Sequence, residues 1–274
     1  MAYDAKVLAD SISPQGRRLT TIEATLPRIV LAELNTHRQF SRNSASSRAI
    51  PVAKMLQRVK EDPFIPIWWG KNQKGMQAVE ELDEVDRKRA IQHWLAARDN
   101  AISSVEILQA IDVHKQIANR LLEPWLWHTV IVTATEWANF FGLRRHKDAQ
   151  PEFKKSADMI WDVREASTPK YIDYAGWHLP LIDVEDKTKF PAFEDLIWAS
   201  AGRCARVSYL THDGRRDLNE DVALARKLRI SGHMSPLEHP ARPQMPEESG
   251  RDTGNFVGWI QLRKEIVGEA VFSA

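Results

Sequence analysis

Between residues 18 and 34 the hydrophobic period changes, and that change limits the folds open to the chain. Leu19, Thr21, Glu23 and Thr25 alternate with Thr20, Ile22 and Ala24, the period of two expected of a strand. Pro27 then fits the first turn of a helix carrying Val30, Leu31 and Leu34. Further helical patterns lie downstream. Met76 to Leu122 reads as helical, with Ile102, Val105, Leu108, Ile111, Ala118 and Leu121 at spacings of three or seven, and Pro124 breaks it. A helix is expected from about Trp127 to Leu143, with Val130, Ala134, Trp137, Ala138 and Phe141 on one face, and another after Pro151. Asp217 to Ile230 has acids in its first turn, bases near its end and Ser231-Gly232 after it, an order that complements the helix dipole. A strand is expected at 256–262, while 60–75, 167–192 and 240–255, rich in Pro or Gly, read as loops. The sum is an α+β pattern, a sheet flanked by long helices, and 274 residues permit one large domain or two modest ones.

Composition narrows the function. Of 274 residues 43% are hydrophobic and 27% charged, and the net charge is +1. That is a soluble globular composition without the basic field of a nucleic-acid binder. No apolar run approaches the roughly 20 residues of a membrane span, and the N-terminus lacks a signal-peptide profile. One cysteine, Cys204, excludes a disulfide within the chain and a multi-thiolate zinc site. It suits a reducing cytoplasm, the expected location. His146 with Asp148, and His233 with Glu238 and His239, match no specific metal spacing, so no metal is expected.

The segment after the first helix, "THRQFSRNSASSR" (36–48), concentrates donors between two ordered stretches. It holds three arginines and four serines, and Pro51 starts the next helix. Hydroxyls, backbone N–H groups and a guanidinium near a helix N-terminus make a phosphate or carboxylate site; capping serines on a solvated loop are the equal alternative. Arg120 either snorkels to solvent from an apolar helix or points into a polar site. Arg144 can simply suit the dipole at a helix end.

Three stretches together resemble the flavin-dependent thymidylate synthases. "THRQFSRNSASSR" is similar to the family's Arg-His-Arg followed seven or eight residues later by Ser, with Ser46 eight after Arg38, and "PRIVLAELN" to the helix leading into it. "ANRLLEPW" and "NFFGLR" look like the Arg-x-x-x-Pro and Asn-Phe-Leu-x-Leu-Arg segments. "ARVSY" (205–209) and "SGHMSPLEH" (231–239) look like Ala-Arg-Val-Ser and Gly-His-x-Thr-Pro-Phe-Glu-His. The blocks fall within 27–51, 118–150 and 203–239. In the family the Gly-His block precedes the Arg-His-Arg block, so the resemblance implies a circular permutation. Domain termini often lie close together on the surface, which makes permutation tolerable.

The resemblance implies a mixed or antiparallel sheet in a single domain over residues 1–274, and conversion of dUMP to dTMP with FAD, NADPH and 5,10-methylenetetrahydrofolate, in a cytoplasmic homotetramer. It places Arg144 in catalysis on the pyrimidine. Ser44, Ser46, Ser47, Arg48 and Arg120 hold the nucleotide; His37, Arg38, Asn139, Ser208, His233, Ser235 and Glu238 hold the flavin. Three positions depart from the family: Thr36 replaces an arginine, Ser44 a glutamate and Glu33 a glutamine. Gln261 and Arg263 of "WIQLRK" either stand in for the missing groups or belong to an edge strand. The departures leave open a related pyrimidine-nucleotide C5 methylase or hydroxymethylase, or a non-catalytic nucleotide-binding homologue. Cys204 does not sit in the Pro-Cys-His context of the thiol-dependent class, and a small buried cysteine is expected there.

Overall fold

The alternating segment forms the middle strand of a five-stranded sheet. The computed structural model describes residues 2–189, 192–208 and 217–269. β1 (Asp4–Ile12) and β2 (Arg18–Pro27) form an antiparallel pair. A 3-10 turn, Arg28–Val30, leads into α1 (Leu31–Asn35), and β3 (Ser41–Ser44) carries the middle of the serine-rich motif. Next come α2 (Val52–Glu61), α3 (Glu84–Ala110), α4 (Lys115–Ala118), β4 (Trp127–Ala134), α5 (Ala138–Arg144) and α6 (Pro151–Ala166). The remainder holds β5 (Lys170–Tyr171), α7 (Val184–Lys189), α8 (Phe193–Ala205), α9 (Leu218–Ile230), β6 (Ala241–Pro243) and β7 (Trp259–Gln261). The sheet order is β3-β4-β2-β1-β5, all antiparallel except the short β1–β5 pair, while β6 and β7 pair separately. This is the α+β arrangement expected from the pattern.

The two sheet faces differ in chemistry. Ile22, Ala24, Leu26, Val130, Val132 and Ala134 share a core with Phe140, Phe141, Phe153 and Ile160 of α5 and α6. On the opposite face Ile131 meets Cys204 and Val207, and Leu19 meets Ala241, Phe256 and Trp259. Between those apolar patches lie hydroxyls. Thr21 and Thr133 stand opposite each other, Oγ1 to Oγ1 at 2.7 Å. A second core under α2 and α3 includes Met55, Val59, Val105, Leu122 and Trp125.

The expected helix over 127–143 is wrong in its first half: 127–134 is strand β4. Thr129, Val130, Ile131, Val132 and Thr133 are β-branched and favour extended backbone. Positions 130 and 134 fit either period, because four residues are about one helical turn and also two strand repeats. The long helix also does not run from Met76 to Leu122. It starts at Glu84, where the Asp83 side chain accepts from Asp86 N–H as N-cap, and stops at Ala110. Asp112 has φ of 63°, which ends helical propagation. The chain from Asn119 to Trp125 is a 3-10 turn. The expected helix after Pro27 is a 3-10 turn and a five-residue helix. The helix over 217–230 is as read, with Asp217 accepting from Glu220 N–H.

Gly202 sets how closely α8 and α9 approach. A Cβ there would lie 2.1 Å from the Asp221 backbone oxygen. Asp221 is also bound through its side chain by Arg203 Nε at 2.9 Å, in an ion pair that is almost fully buried. Gly202→Ala must push the helices apart, a form of overpacking that costs about 1–3 kcal/mol. The expected result is a melting temperature lowered by several degrees in a thermal scan. An unchanged melt would contradict this contact.

Candidate functional site

The motif segment presents different groups at the two ends of β3. At its start His37 is buried, packed edge-on to Phe140 with ring centroids 5.1 Å apart. Arg144, the last residue of α5, donates from Nε to His37 Nε2 at 2.9 Å and from Nη2 to Thr36 Oγ1 at 3.2 Å. Its guanidinium also lies 4.9 Å from the Phe153 ring centroid. A guanidinium can only donate, so His37 Nε2 accepts and the ring proton is on Nδ1. Arg42 donates to the carbonyls of Leu34 and His37 at 3.0 and 3.1 Å and so closes the turn.

The C-terminal turn reaches this strand from about two hundred residues away. His239 is fully buried, with Nδ1 2.7 Å from Thr133 Oγ1 and Nε2 3.3 Å from the Asn43 carboxamide. With its nitrogen facing the turn, that carboxamide also reaches Ser235 Oγ at 3.2 Å. Gln261 Nε2 donates to Ser41 Oγ at 2.9 Å and to the Glu238 carbonyl at 3.2 Å. Arg263 Nη1 donates to Glu238 Oε1 at 2.7 Å. Gln261 therefore bonds the motif strand itself, whereas Arg263 holds the turn. His178 bridges Ser11 Oγ and Thr21 Oγ1, each at 2.7 Å, so hydrogen bonds run without a break from Ser11 through His178, Thr21, Thr133 and His239 to Asn43.

The other end of the motif gathers on a carboxylate that sequence reasoning did not single out. Glu123 Oε1 accepts from Arg120 Nη1 at 2.7 Å, Ser47 Oγ at 2.9 Å and Arg28 Nη2 at 3.3 Å. Arg120 neither snorkels alone nor lies buried: it is half exposed and paired. Buried Asn119 fixes the turn, donating to the carbonyls of Ser47 and Ile50 at 2.7 and 2.9 Å. The readable signal was Glu123 three residues after Arg120, a spacing at which opposite charges meet on one helical face.

The other expected site residues are scattered around these two clusters. Arg38 and Arg48 are exposed, and their guanidinium groups have no partner among the described residues. Ser44 and Ser46 are exposed, and Asn139 is exposed on α5. His233 is exposed and its ring bonds within its own turn, Nδ1 to Ser231 Oγ at 3.1 Å. Ser208 ends a 3-10 turn after α8, and its side chain lies outside the described residues, as does Tyr209 of "ARVSY". Cys204 is fully buried, and burial, with Glu23 nearby, pushes its thiol pKa up. Among the described residues no group of three or more His, Cys, Asp and Glu is placed to hold a metal ion, and no helix is long and apolar enough to cross a membrane.

The class defined so far is an α+β protein whose donor-rich motif strand is completed by residues from the far end of the chain. The sequence profile of the thymidylate synthase complementing proteins matches residues 17–170, more than half of the chain, and the chain belongs to that family. The matched span contains the blocks at 27–51 and 118–150; the block at 203–239 follows it. No curated protein matches the chain by sequence. Among solved structures it is similar to the UMP/dUMP methylase PolB from Streptomyces cacaoi bound with 5-Br UMP, at 15% identity and TM-score 0.48, over 60% of this chain and 89% of that one. The same enzyme bound with 5-Br dUMP gives 14% identity and TM-score 0.47, over 60% and 90%.

Four buried histidines are held neutral. Burial, helped by Arg144 and Arg42, lowers the His37 pKa to about 4. Burial lowers His128, His178 and His239 to about 3, with Arg28 adding to the effect at His128 and His178 at His239. A histidine is ordinarily half protonated near pH 6.5 when unfolded. Below that pH the unfolded chain binds protons that the folded chain refuses, so stability is complete above about 6.5 and falls as pH drops toward 4. The slope is about 1.4 kcal/mol per pH unit for each histidine protonated on unfolding. Urea midpoints at pH 7.5, 6 and 5 should decline in that order; a flat series would contradict a neutral buried set.

Proposed function

We propose that the chain is a circularly permuted, FAD-dependent thymidylate synthase, forming dTMP from dUMP with 5,10-methylenetetrahydrofolate as carbon donor and NADPH as reductant. The observation that carries the reading is the bonding of the 235–239 turn to Asn43 of the motif strand. A permuted member must rebuild that neighbourhood from the opposite end of its sequence, within one domain. A cytoplasmic homotetramer belongs to the same reading.

The donor set suits a flavin. Arg38 and Asn139 are open donors near the His37 end, and Ser235 and Glu238 stand across from Arg42 and Asn43. These residues, with His37, His233 and Ser208, would hold it. Reduced flavin, when bound, supplies hydride. Arg144 would act on the pyrimidine, its fixed positive charge stabilising negative charge that develops on the ring. Its present partners, His37 and Thr36, are neutral, so that charge is not cancelled by a carboxylate. Ser44, Ser46, Ser47, Arg48 and Arg120 would bind the nucleotide. Cys204 takes no part, because a buried thiol pushed toward its protonated form is a poor nucleophile.

Thr36 favours a second reading, the same scaffold acting on another pyrimidine nucleotide or releasing a hydroxymethyl product. Where the family has a cation, Thr36 Oγ1 donates to the Glu33 carbonyl at 2.7 Å. Flavin absorbance of the purified protein separates either enzyme from a non-catalytic homologue, and product analysis with labelled dUMP and UMP separates the enzymes.

Substitutions test the roles. Arg48→Ala should weaken dUMP binding by about one to two decades, the loss of one charge-assisted hydrogen bond, and leave flavin content intact. Arg144→Ala should slow single-turnover oxidation of reduced flavin at saturating nucleotide far more than it weakens binding. Cys204→Ala should retain turnover. Loss of the reaction in Cys204→Ala together with a silent Arg144→Ala would refute the mechanism.

A further inference from the structure

A cleft beside Ser47 is rich in donors, and no carboxylate is among the residues that line it. Its walls include Arg28, Ser47, Arg58, Trp127 and His128. His128 is only 4% exposed, and its Nδ1 lies 3.3 Å from Arg28 Nη1. Arginine can only donate, so Nδ1 accepts and the neutral ring carries its proton on Nε2. That Nε2 is buried without a partner, and so is the indole nitrogen of Trp127. Arg58 extends from α2 half buried, and its guanidinium has no hydrogen-bonding or ion-pair partner among the described residues. A half-buried cation and an orphaned buried N–H are both unfavourable unless something else completes them. Glu123, bonded to Arg28 and Ser47, already accepts three donors on one oxygen. Glu61 and Asp62 line an adjoining hollow past Arg58, not the cleft itself.

We propose that this cleft is an oxyanion subsite that takes a phosphate group, bound by Arg58 and Arg28 with His128 Nε2–H as a third donor. A phosphate presents several acceptor oxygens and one to two negative charges, which matches two guanidinium groups and an imidazole N–H. None of the three residues is among those that the motifs single out as nucleotide or flavin ligands. On the nucleotide reading above, on which this source rests, the phosphate is that of the pyrimidine nucleotide, because Ser47 of the motif forms part of the same wall. A flavin dinucleotide offers the same chemistry and is the other source.

Calorimetric titration of the full chain with dUMP, deoxyuridine, inorganic phosphate and FAD tests the assignment in wild type, Arg58→Gln and Arg58→Lys. Arg58→Gln should weaken dUMP and inorganic phosphate about tenfold or more and leave deoxyuridine unchanged, while Arg58→Lys restores part of the loss. A loss confined to FAD and inorganic phosphate supports the same site with the flavin as its source. Equal affinities for every phosphate-bearing ligand in wild type and Arg58→Gln would overturn the proposal, even if dUMP binds and methylation proceeds. Inorganic phosphate binding that depends on Arg58 in a chain with no affinity for dUMP would support the subsite and count against the methylation reading. A readout needing no substitution is the His128 imidazole 15N resonance of the wild type. Inorganic phosphate should shift its Nε2 signal, and an unmoved signal at saturation would also overturn the proposal.

Discussion

The hydroxyl pair of Thr21 and Thr133 is the joint on which the two halves of the chain meet. On one sheet face β2 and β4 offer a run of aliphatic side chains, Ile22 to Leu26 and Val130 to Ala134 at alternate positions, and bury them under α5 and α6. On the other they offer hydroxyls that must find partners once covered. His178 and His239 supply those partners from the C-terminal half, each bonding one threonine. A valine at either threonine would leave a histidine nitrogen buried and unpaired, so the polar pair fixes where the C-terminal half docks and, through Asn43, where its turn meets the motif strand.

This joint explains what the sequence could and could not disclose. Local signals were legible: the alternation over 18–25, the capped helix over 217–230, and the donor-rich segment at 36–48. The helix expected over 127–143 failed at a strand buried on both faces, where apolar spacing does not separate one period from the other. β1 and α8 were not anticipated at all; in β1 Asp4, Lys6, Asp10 and Ser11 interrupt the apolar residues, and α8 is buried all round from Leu196 to Cys204 and so shows weak amphipathic contrast.

The site shows the same division. The motif residues and the 231–239 turn were readable from their resemblance, and the structure brings Ser235 and Glu238 of that turn to Asn43 and Arg42. His233 stays within its own turn. The carboxylate that organises the second cluster, Glu123, was hidden because one acid beside an arginine in a helical pattern is commonplace. Arg58 and His128 were hidden more deeply. Neither is unusual in its own segment; their significance lies in missing partners, which only three-dimensional placement shows.

The contacts that complete the motif strand span sequence separations of 196 residues, from His239 to Asn43, and 220 residues, from Gln261 to Ser41. During synthesis, at about 5–20 residues per second, the strand therefore emerges roughly ten to forty seconds before the residues that finish it. In that interval β3 is an edge strand with Asn43 and Ser41 lacking these partners, and Thr21 and Thr133 present an uncovered polar stripe. The order of the chain thus makes ligand competence a late event for the nascent motif strand, reached only after residue Gln261 has been made.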